Sequence, residues 1–213
     1  MNTIKIILAD DHAVVRSGLR RLLELNKGIE VVAEAESGEQ AYQYYGEFLP
    51  DVVVMDLSMP GMGGLEAAKR ILQRYTTAKI IIFSMHEAVS FASQALKAGV
   101  RGYVTKTGAA EDLLTAITEV ARGKTFLSSG IAQKVALQTL MGDDDPLHQL
   151  SSREFEIFRL LAEGKKVEEV ADMLKISQKT VANYYTMIKQ KLGVSSPIEM
   201  VRLAIRHGLI DSE

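Results

Sequence analysis

The chain has 213 residues, 47% of them hydrophobic and 24% charged, a balance that supports one large or two small folded domains and excludes an intrinsically disordered chain. The formal net charge is -2 and there is no cysteine, which excludes a disulfide framework, a thiolate metal site and a thiol nucleophile. The N-terminal run from Met1 through Lys5 reaches Asp10-Asp11 too soon for a secretory leader, and no apolar run approaches a membrane span, so a soluble cytoplasmic protein is expected.

The first half alternates short apolar runs with amphipathic stretches. Ile4, Ile6, Ile7 and Leu8 read as a buried strand, and Ala13 to Asn26 as a helix with Val15, Leu19, Leu22 and Leu23 on one face. Glu30 to Ala35 is a second strand, and Ser37-Gly38-Glu39-Gln40 a capping box that opens a second helix. Val52 to Met55 is a third strand, followed by a helix from Leu65 to Tyr75. Lys79 to Phe83 is a fourth strand, followed by a helix from Ala88 to Ala98 that Gly99 stops. Gly102 to Thr105 and the helix Ala110 to Ala121 complete five strand-helix units, which predict a parallel sheet covered on both faces.

The second half has no comparable strand. Ser128 to Leu140 reads as a connecting helix, and Gly142-Asp143-Asp144-Asp145-Pro146 as a linker. Four helices follow. Ser151-Ser152-Arg153-Glu154 caps the first, which Gly164 ends; Val167 to Leu174 is the second. Ile176-Ser177 makes a turn into the third, Gln178 to Leu192. Ser196-Pro197-Ile198-Glu199 opens the last, which runs to His207.

The strand ends carry the chemistry. Asp10-Asp11 follow the first strand, Asp56 the third, Ser84 the fourth and Lys106 the fifth. In an open parallel sheet these ends share one edge, so the five side chains should converge. Each alone has a commoner reading, as a helix cap, a turn residue or a surface lysine; the joint pattern is what points to a site. Two like charges 4 Å apart repel by about 4 kcal/mol at an effective dielectric of 20, so clustered carboxylates need positive charge. Lys106 supplies some, and a hard divalent ion with oxygen ligands, Mg²⁺, suits the rest. The set fits phosphoryl transfer to Asp56 as nucleophile, with Ser84 hydrogen-bonding a phosphoryl oxygen.

Leu8-Ala9-Asp10-Asp11-His12, Met55-Asp56-Leu57-Ser58-Met59-Pro60-Gly61 and Gly102-Tyr103-Val104-Thr105-Lys106 resemble receiver-domain motifs over about residues 1–123. The resemblance implies a flavodoxin-like, five-stranded sheet of order 2-1-3-4-5. It also implies Asp56 as phosphoacceptor, and Asp11, Asp56 and the Ser58 carbonyl as metal ligands with Asp10 nearby or acting through water. Ser84 and Tyr103 match the family's switch pair, in which the hydroxyl moves toward the phosphoryl group and the ring turns inward. Thr107 stands where the family often has proline after the lysine.

Residues 167 to 192 read as helix, tight turn and recognition helix, with Val181, Ile188 and Leu192 inward and Lys179, Asn183 and Thr186 outward. Lys175, Lys179, Lys189 and Lys191 lie between Asp172 and Glu199 with no acid among them, a local positive charge that the global sum hides. On charge alone a solvated helix face is the simpler reading. The segments Leu150 to Glu154, Ile176 to Val181 and Lys191 to Val194 are similar to the LuxR-type domain, and the whole chain resembles the NarL/FixJ class of two-component response regulators. Tyr184 and the Arg206-His207-Gly208 ending look similar to the GacA/UvrY-like subgroup. Ala182, Asn183 and Tyr184 depart from the lysine, small residue and histidine that many members carry there, and Val167 from a common asparagine.

The resemblance implies a receiver over 1–123, a linker with a connecting helix over 124–147, and an all-α, four-helix DNA-binding domain over 148–213. Candidate DNA contacts are Ser177, Gln178, Lys179, Thr180, Asn183, Tyr184, Lys189 and Lys191. The implied partners are a sensor histidine kinase, a second copy of the chain, a roughly palindromic double-stranded DNA site and, as a further candidate, RNA polymerase, with localisation to the nucleoid when DNA is bound. Met200, Leu203 and Ala204 on the last helix are candidates for an exposed apolar dimer edge, with ordinary core packing the equal alternative for each. Phosphorylation is expected to relieve masking or misorientation of the recognition helix. An aspartate-nucleophile phosphatase is disfavoured, because Ser58 stands where such enzymes want a second Asp; the only catalysis expected is self-phosphorylation and autodephosphorylation. A phosphorylation-independent regulator is disfavoured by the intact acidic pocket.

Overall fold

The computed structural model describes residues 3–108, 110–141 and 145–210. The expected linker residues Gly142, Asp143 and Asp144 lie outside them. Five strand-helix units come first: β1 (Ile4–Ala9), α1 (Ala13–Glu24), β2 (Ile29–Ala35), α2 (Gly38–Phe48), β3 (Val52–Met55), α3 (Gly64–Arg74), β4 (Ile80–Ser84), α4 (Val89–Lys97), β5 (Gly102–Thr105) and α5 (Ala110–Ala121). Then follow β6 (Phe126–Leu127), α6 (Ser129–Met141), a 3-10 turn (Pro146–Gln149), α7 (Ser152–Ala162), α8 (Val167–Met173), α9 (Gln178–Leu192) and α10 (Pro197–Arg206).

The parallel sheet has the order β2-β1-β3-β4-β5-β6, so the expected five-strand order gains a sixth member at one edge. Two residues carry no periodicity a sequence could show. They pair with β5 because Phe126 N–H reaches Arg101 O and Ser128 N–H reaches Tyr103 O. Strand alternation sorts the core into two layers. Ile7, Ala9, Val53, Met55, Ile80 and Ile82 pack against residues of α2, α3 and α4. Ile6, Leu8, Val52, Val54, Ile81 and Val104 pack against Leu23 of α1 and Leu113, Ala116, Ile117 and Val120 of α5.

The register positions the strand ends. Ala9 lies opposite both Ala35 and Met55, Met55 opposite Ile82, and Ser84 opposite Thr105. The residues that follow β1 and β3, Asp10 and Asp56, therefore emerge side by side.

The helical half begins with well-made caps. Ser151 accepts the Glu154 N–H while the Glu154 carboxylate accepts Ser151 N–H. Ser196 accepts Glu199 N–H, but the Glu199 carboxylate reaches one residue further back, to Ser195. The two halves share one apolar core: Phe91 of α4 meets Phe155 of α7 edge to face at 5.2 Å, and the layer around α2 to α4 continues into Phe158, Val170, Val181, Ile188, Met200 and Ala204. No helix among the described residues is long and apolar enough to cross a membrane.

Candidate functional site

Four of the five strand-end side chains, Asp10, Asp11, Asp56 and Lys106, converge. Lys106 Nζ donates to Asp10 Oδ2 at 2.6 Å and lies 3.2 Å from Asp56 Oδ1. Asp10 and Asp56 are almost wholly buried. One ligand atom each of Asp10, Asp11, His12 and Asp56 falls within 4.8 Å of the others. Burial pushes the Asp56 carboxyl up from the ordinary carboxylate range; the Lys106 charge opposes this and the Asp10 charge adds to it. Asp11 Oδ1 is buried and accepts no hydrogen bond; His12 Nδ1 stands 3.0 Å away but outside hydrogen-bond geometry. A buried carboxylate oxygen left without a partner is costly, and a hard cation is the partner that three carboxylates fit. His12, whose N–H also donates to Asp10 Oδ1, was not among the expected site residues.

Ser84 is fully buried at the end of β4, and its hydroxyl accepts His86 N–H at 3.2 Å. Tyr103 is also fully buried and donates its hydroxyl to His86 O at 2.8 Å. Burial holds its phenol neutral. The ring expected to turn inward on activation therefore already lies inward here. Sequence reading also missed His86. Its ring stacks on Phe91 at 4.0 Å, its Nε2 lies 3.0 Å from Ser58 Oγ, and burial, with Arg159 and Lys106 adding, lowers its pKa to about 4. No cis peptide occurs among the described residues, so Lys106-Thr107 is trans.

The segment from Leu57 to Gly63 follows Asp56 and contacts the helical half directly. Gly61 N–H donates to Met173 O at 2.8 Å. The Arg153 guanidinium donates to Gly61 O at 3.1 Å, Met62 O at 3.4 Å and Leu174 O at 2.8 Å, and pairs with Glu156 at 2.9 Å. Glu39 of α2 holds Met62 N–H from the other side. A second tie comes from the buried Gln94 of α4, whose amide donates to Leu147 O and Leu150 O. Burial against this interface pushes the Glu156 carboxyl up to about 7, with Arg153 and Arg159 opposing.

α9 is held by Val181 and Ile188, with Ser177 as N-cap accepting Thr180 N–H and Gly193 as left-handed C-cap. Gln178, Lys179, Asn183 and Thr186 face solvent. The receiver-like half thus leaves Gln178, Lys179, Asn183 and Thr186 uncovered, while its contacts run through the 3-10 turn, α7 and the end of α8 and reach Thr180 and Tyr184 on α9. Four of the candidate contacts on α9 are therefore open to solvent, and two stand against the receiver-like half. The remaining candidates are placed differently. Thr180 and Tyr184 line a groove with Glu39, Glu66 and Arg70. Lys189 lies 5.5 Å over the Tyr185 ring. Lys191 is tied to the Glu154 carboxylate at 2.6 Å, so part of the expected positive face is neutralised within the fold. On α10, Met200 and Ala204 are buried, which removes them as an exposed dimer edge; Ile198 and Ile205 are the exposed apolar residues there.

Comparison with known proteins gives two families. Residues 6–118 match the response regulator receiver domain, and residues 148–204 match the bacterial regulatory proteins of the luxR family. The response regulator UvrY of Escherichia coli (strain K12) is 40% identical over 212 residues, covering 99% of this chain and 97% of its own. The response regulator GacA of Pseudomonas aeruginosa is 38% identical over 211 residues, covering 98% and 99%. Among solved structures, RcsB from Salmonella enterica serovar Typhimurium, bound to promoter rprA in the presence of phosphomimetic BeF3-, aligns with a TM-score of 0.71 at 29% identity over 95% of this chain and 98% of that one.

Proposed function

Because the chain belongs to the two-component response regulators that join a receiver domain to a LuxR-type DNA-binding domain, we propose that it accepts a phosphoryl group on Asp56 and thereby controls sequence-specific DNA binding as a dimer. The observation that carries the reading is the buried pair of Asp10 and Asp56 on a single lysine, beside a buried Asp11 oxygen that accepts no hydrogen bond. The receiver is residues 1–123, the linker 124–147 and the DNA-binding domain 148–213.

In this reading an ionised Asp56 oxygen attacks the phosphorus of a kinase phosphohistidine; the O–P bond forms as the N–P bond breaks, and the departing imidazole takes a proton. Lys106 lies where it neutralises charge on the transferring group. The Ser84 hydroxyl accepts the His86 N–H with a lone pair, which leaves its O–H to donate to a phosphoryl oxygen, and Tyr103 lies inward beside it. Mg²⁺, held by Asp11, Asp56 and the Ser58 carbonyl with Asp10 nearby, supplies further positive charge to the phosphoryl oxygens when bound. The catalysis is confined to this chain's own phosphorylation and dephosphorylation. The partners are a sensor histidine kinase, a second copy of the chain, double-stranded DNA and RNA polymerase, and the place of action is the cytoplasm, at the nucleoid when DNA is bound.

The test is electrophoretic mobility in phosphate-affinity gels after incubation with acetyl phosphate and Mg²⁺. A retarded band in the wild type and none in Asp56→Asn is the expected result; no band in the wild type, under conditions that modify another receiver, sinks the reading. For the output half, Lys179→Ala and Asn183→Ala should each weaken binding to DNA selected by the wild-type chain by about 1–3 kcal/mol in fluorescence anisotropy. Unchanged affinity in both would remove α9 as the reading helix.

A further inference from the structure

We propose that Arg16, on α1, is a positioning residue for the acidic pocket: it fixes the peptide plane between Asp10 and Asp11 and so aims the Asp11 carboxylate. The inference rests on the reading of that pocket as the Mg²⁺-dependent phosphoryl-acceptor site.

Arg16 is a charged side chain only 7% exposed. Its Nη1 donates to Asp10 O at 2.6 Å. Its Nη2 donates to Glu36 Oε1 at 2.8 Å, and its Nε lies 3.5 Å from Glu34 Oε2. The guanidinium therefore spans from the end of β2 to the end of β1. The sheet leaves a gap that this side chain fills. Asp10 N–H still reaches Ala35 O on the β2 side, but Ala9, opposite Ala35, is the last residue of β1 paired with β2. The Asp10 carbonyl is the first one past that pairing, and Arg16 takes it.

That carbonyl belongs to the peptide unit whose N–H is that of Asp11. Holding it fixes ψ of Asp10 and φ of Asp11, because the unit is planar. The Asp10 carboxylate has other anchors, Lys106 and the His12 N–H. Asp11 Oδ1 accepts no hydrogen bond, and the His12 Nδ1 that stands 3.0 Å from it leaves the same stretch of chain, so its aim follows the backbone that Arg16 holds. A guanidinium suits the task because its rigid fork serves a carbonyl and a carboxylate at once, which a lysine ammonium on a flexible stem does not.

The sign of the effect separates positioning from charge. Removing a positive charge near three carboxylates, by itself, strengthens the binding of a divalent cation. Losing the position of Asp11 weakens it. Mg²⁺ titration of the full chain by isothermal calorimetry reads this directly, without phosphorylation. We expect Arg16→Gln and Arg16→Lys each to raise the Mg²⁺ dissociation constant, by roughly 10–100-fold as for outer-shell partners of metal ligands, with far-UV circular dichroism showing folded protein. Binding as tight as wild type, or tighter, in folded Arg16→Gln overturns the proposal; should that variant not fold, Arg16→Lys, which keeps the charge and loses the bridge, decides it by the same criterion. Asp11→Asn is the reference. If it binds Mg²⁺ like the wild type, the pocket reading itself fails and takes the Arg16 role with it, whereas an Asp11-dependent site indifferent to Arg16 refutes the positioning role alone.

Discussion

In Lys106→Met, phosphoryl incorporation from acetyl phosphate should fall by about 10²–10³-fold, the usual effect of removing one preorganised donor from a site of developing negative charge. The Lys106 ammonium is 2.6 Å from Asp10 and 3.2 Å from Asp56 and is itself largely buried, so little water is present to replace it. Mg²⁺ binding should move the other way. Taking one positive charge from beside three carboxylates increases their attraction for a cation, a change on the order of kcal/mol at these distances. The expected signature is therefore a variant that binds Mg²⁺ more tightly and is labelled far more slowly, read by calorimetric titration and by a time course in phosphate-affinity gels. Labelling at the wild-type rate would show that Lys106 organises the resting carboxylates without acting on the transferring group.

Gly64→Ala should be the most damaging single methyl at any described glycine. A Cβ built at Gly64 would lie 1.8 Å from the Asp56 carbonyl oxygen and 2.8 Å from its carbonyl carbon. Both obstacles are backbone, so no rotamer relieves them. The Gly64 N–H also donates to Leu57 O at 3.0 Å, which ties the start of α3 to the strand end it presses on. Overpacking of this kind costs about 3 kcal/mol, a fall in melting temperature of roughly 6–12 °C for a chain of this size, measurable by scanning calorimetry. Phosphoryl acceptance should drop as well, because the displaced backbone carries Asp56. Gly130→Ala in α6 is the contrast: nothing lies within 4 Å of the added Cβ, so stability should hold or rise by about 0.4–1 kcal/mol. If Gly64→Ala melts with the wild type, α3 is free to shift and the close approach at Asp56 is not a constraint.

Asp10, Asp11, Asp56, Ser84 and Lys106 were legible because each stands next to a strand end, and parallel register decides where strand ends lie. Arg16 and His86 were not, because their roles depend on the direction of a side chain leaving a helix or a loop. Arg16 reads locally as one more charge on the amphipathic α1, and its partner Glu36 is twenty residues away. Lys191 carries a contact the sequence did not show: it stands in an acid-free stretch, while Glu154, thirty-seven residues earlier, pairs with it in the fold. Arg153 sat inside a capping box and was read as part of one, although its guanidinium serves the receiver loop. The sequence left Met200 and Ala204 between core and dimer edge for a related reason, and the fold buries both. An apolar stripe on a helix specifies that something covers it, not whether the cover is the same chain or a second copy.

The Arg153 and Gly61 contacts place the loop leaving Asp56 and the helices that carry α9 in a single hydrogen-bonded unit. Free-energy coupling between two sites has no preferred direction. If phosphorylation of that loop loosens the contact and the loosened form binds promoter DNA better, then promoter DNA must stabilise the phosphorylated loop by the same factor. The operator would then be an effector of the receiver as much as its target, and a chain already seated on its site would hold its phosphoryl group against a different equilibrium from one free in solution.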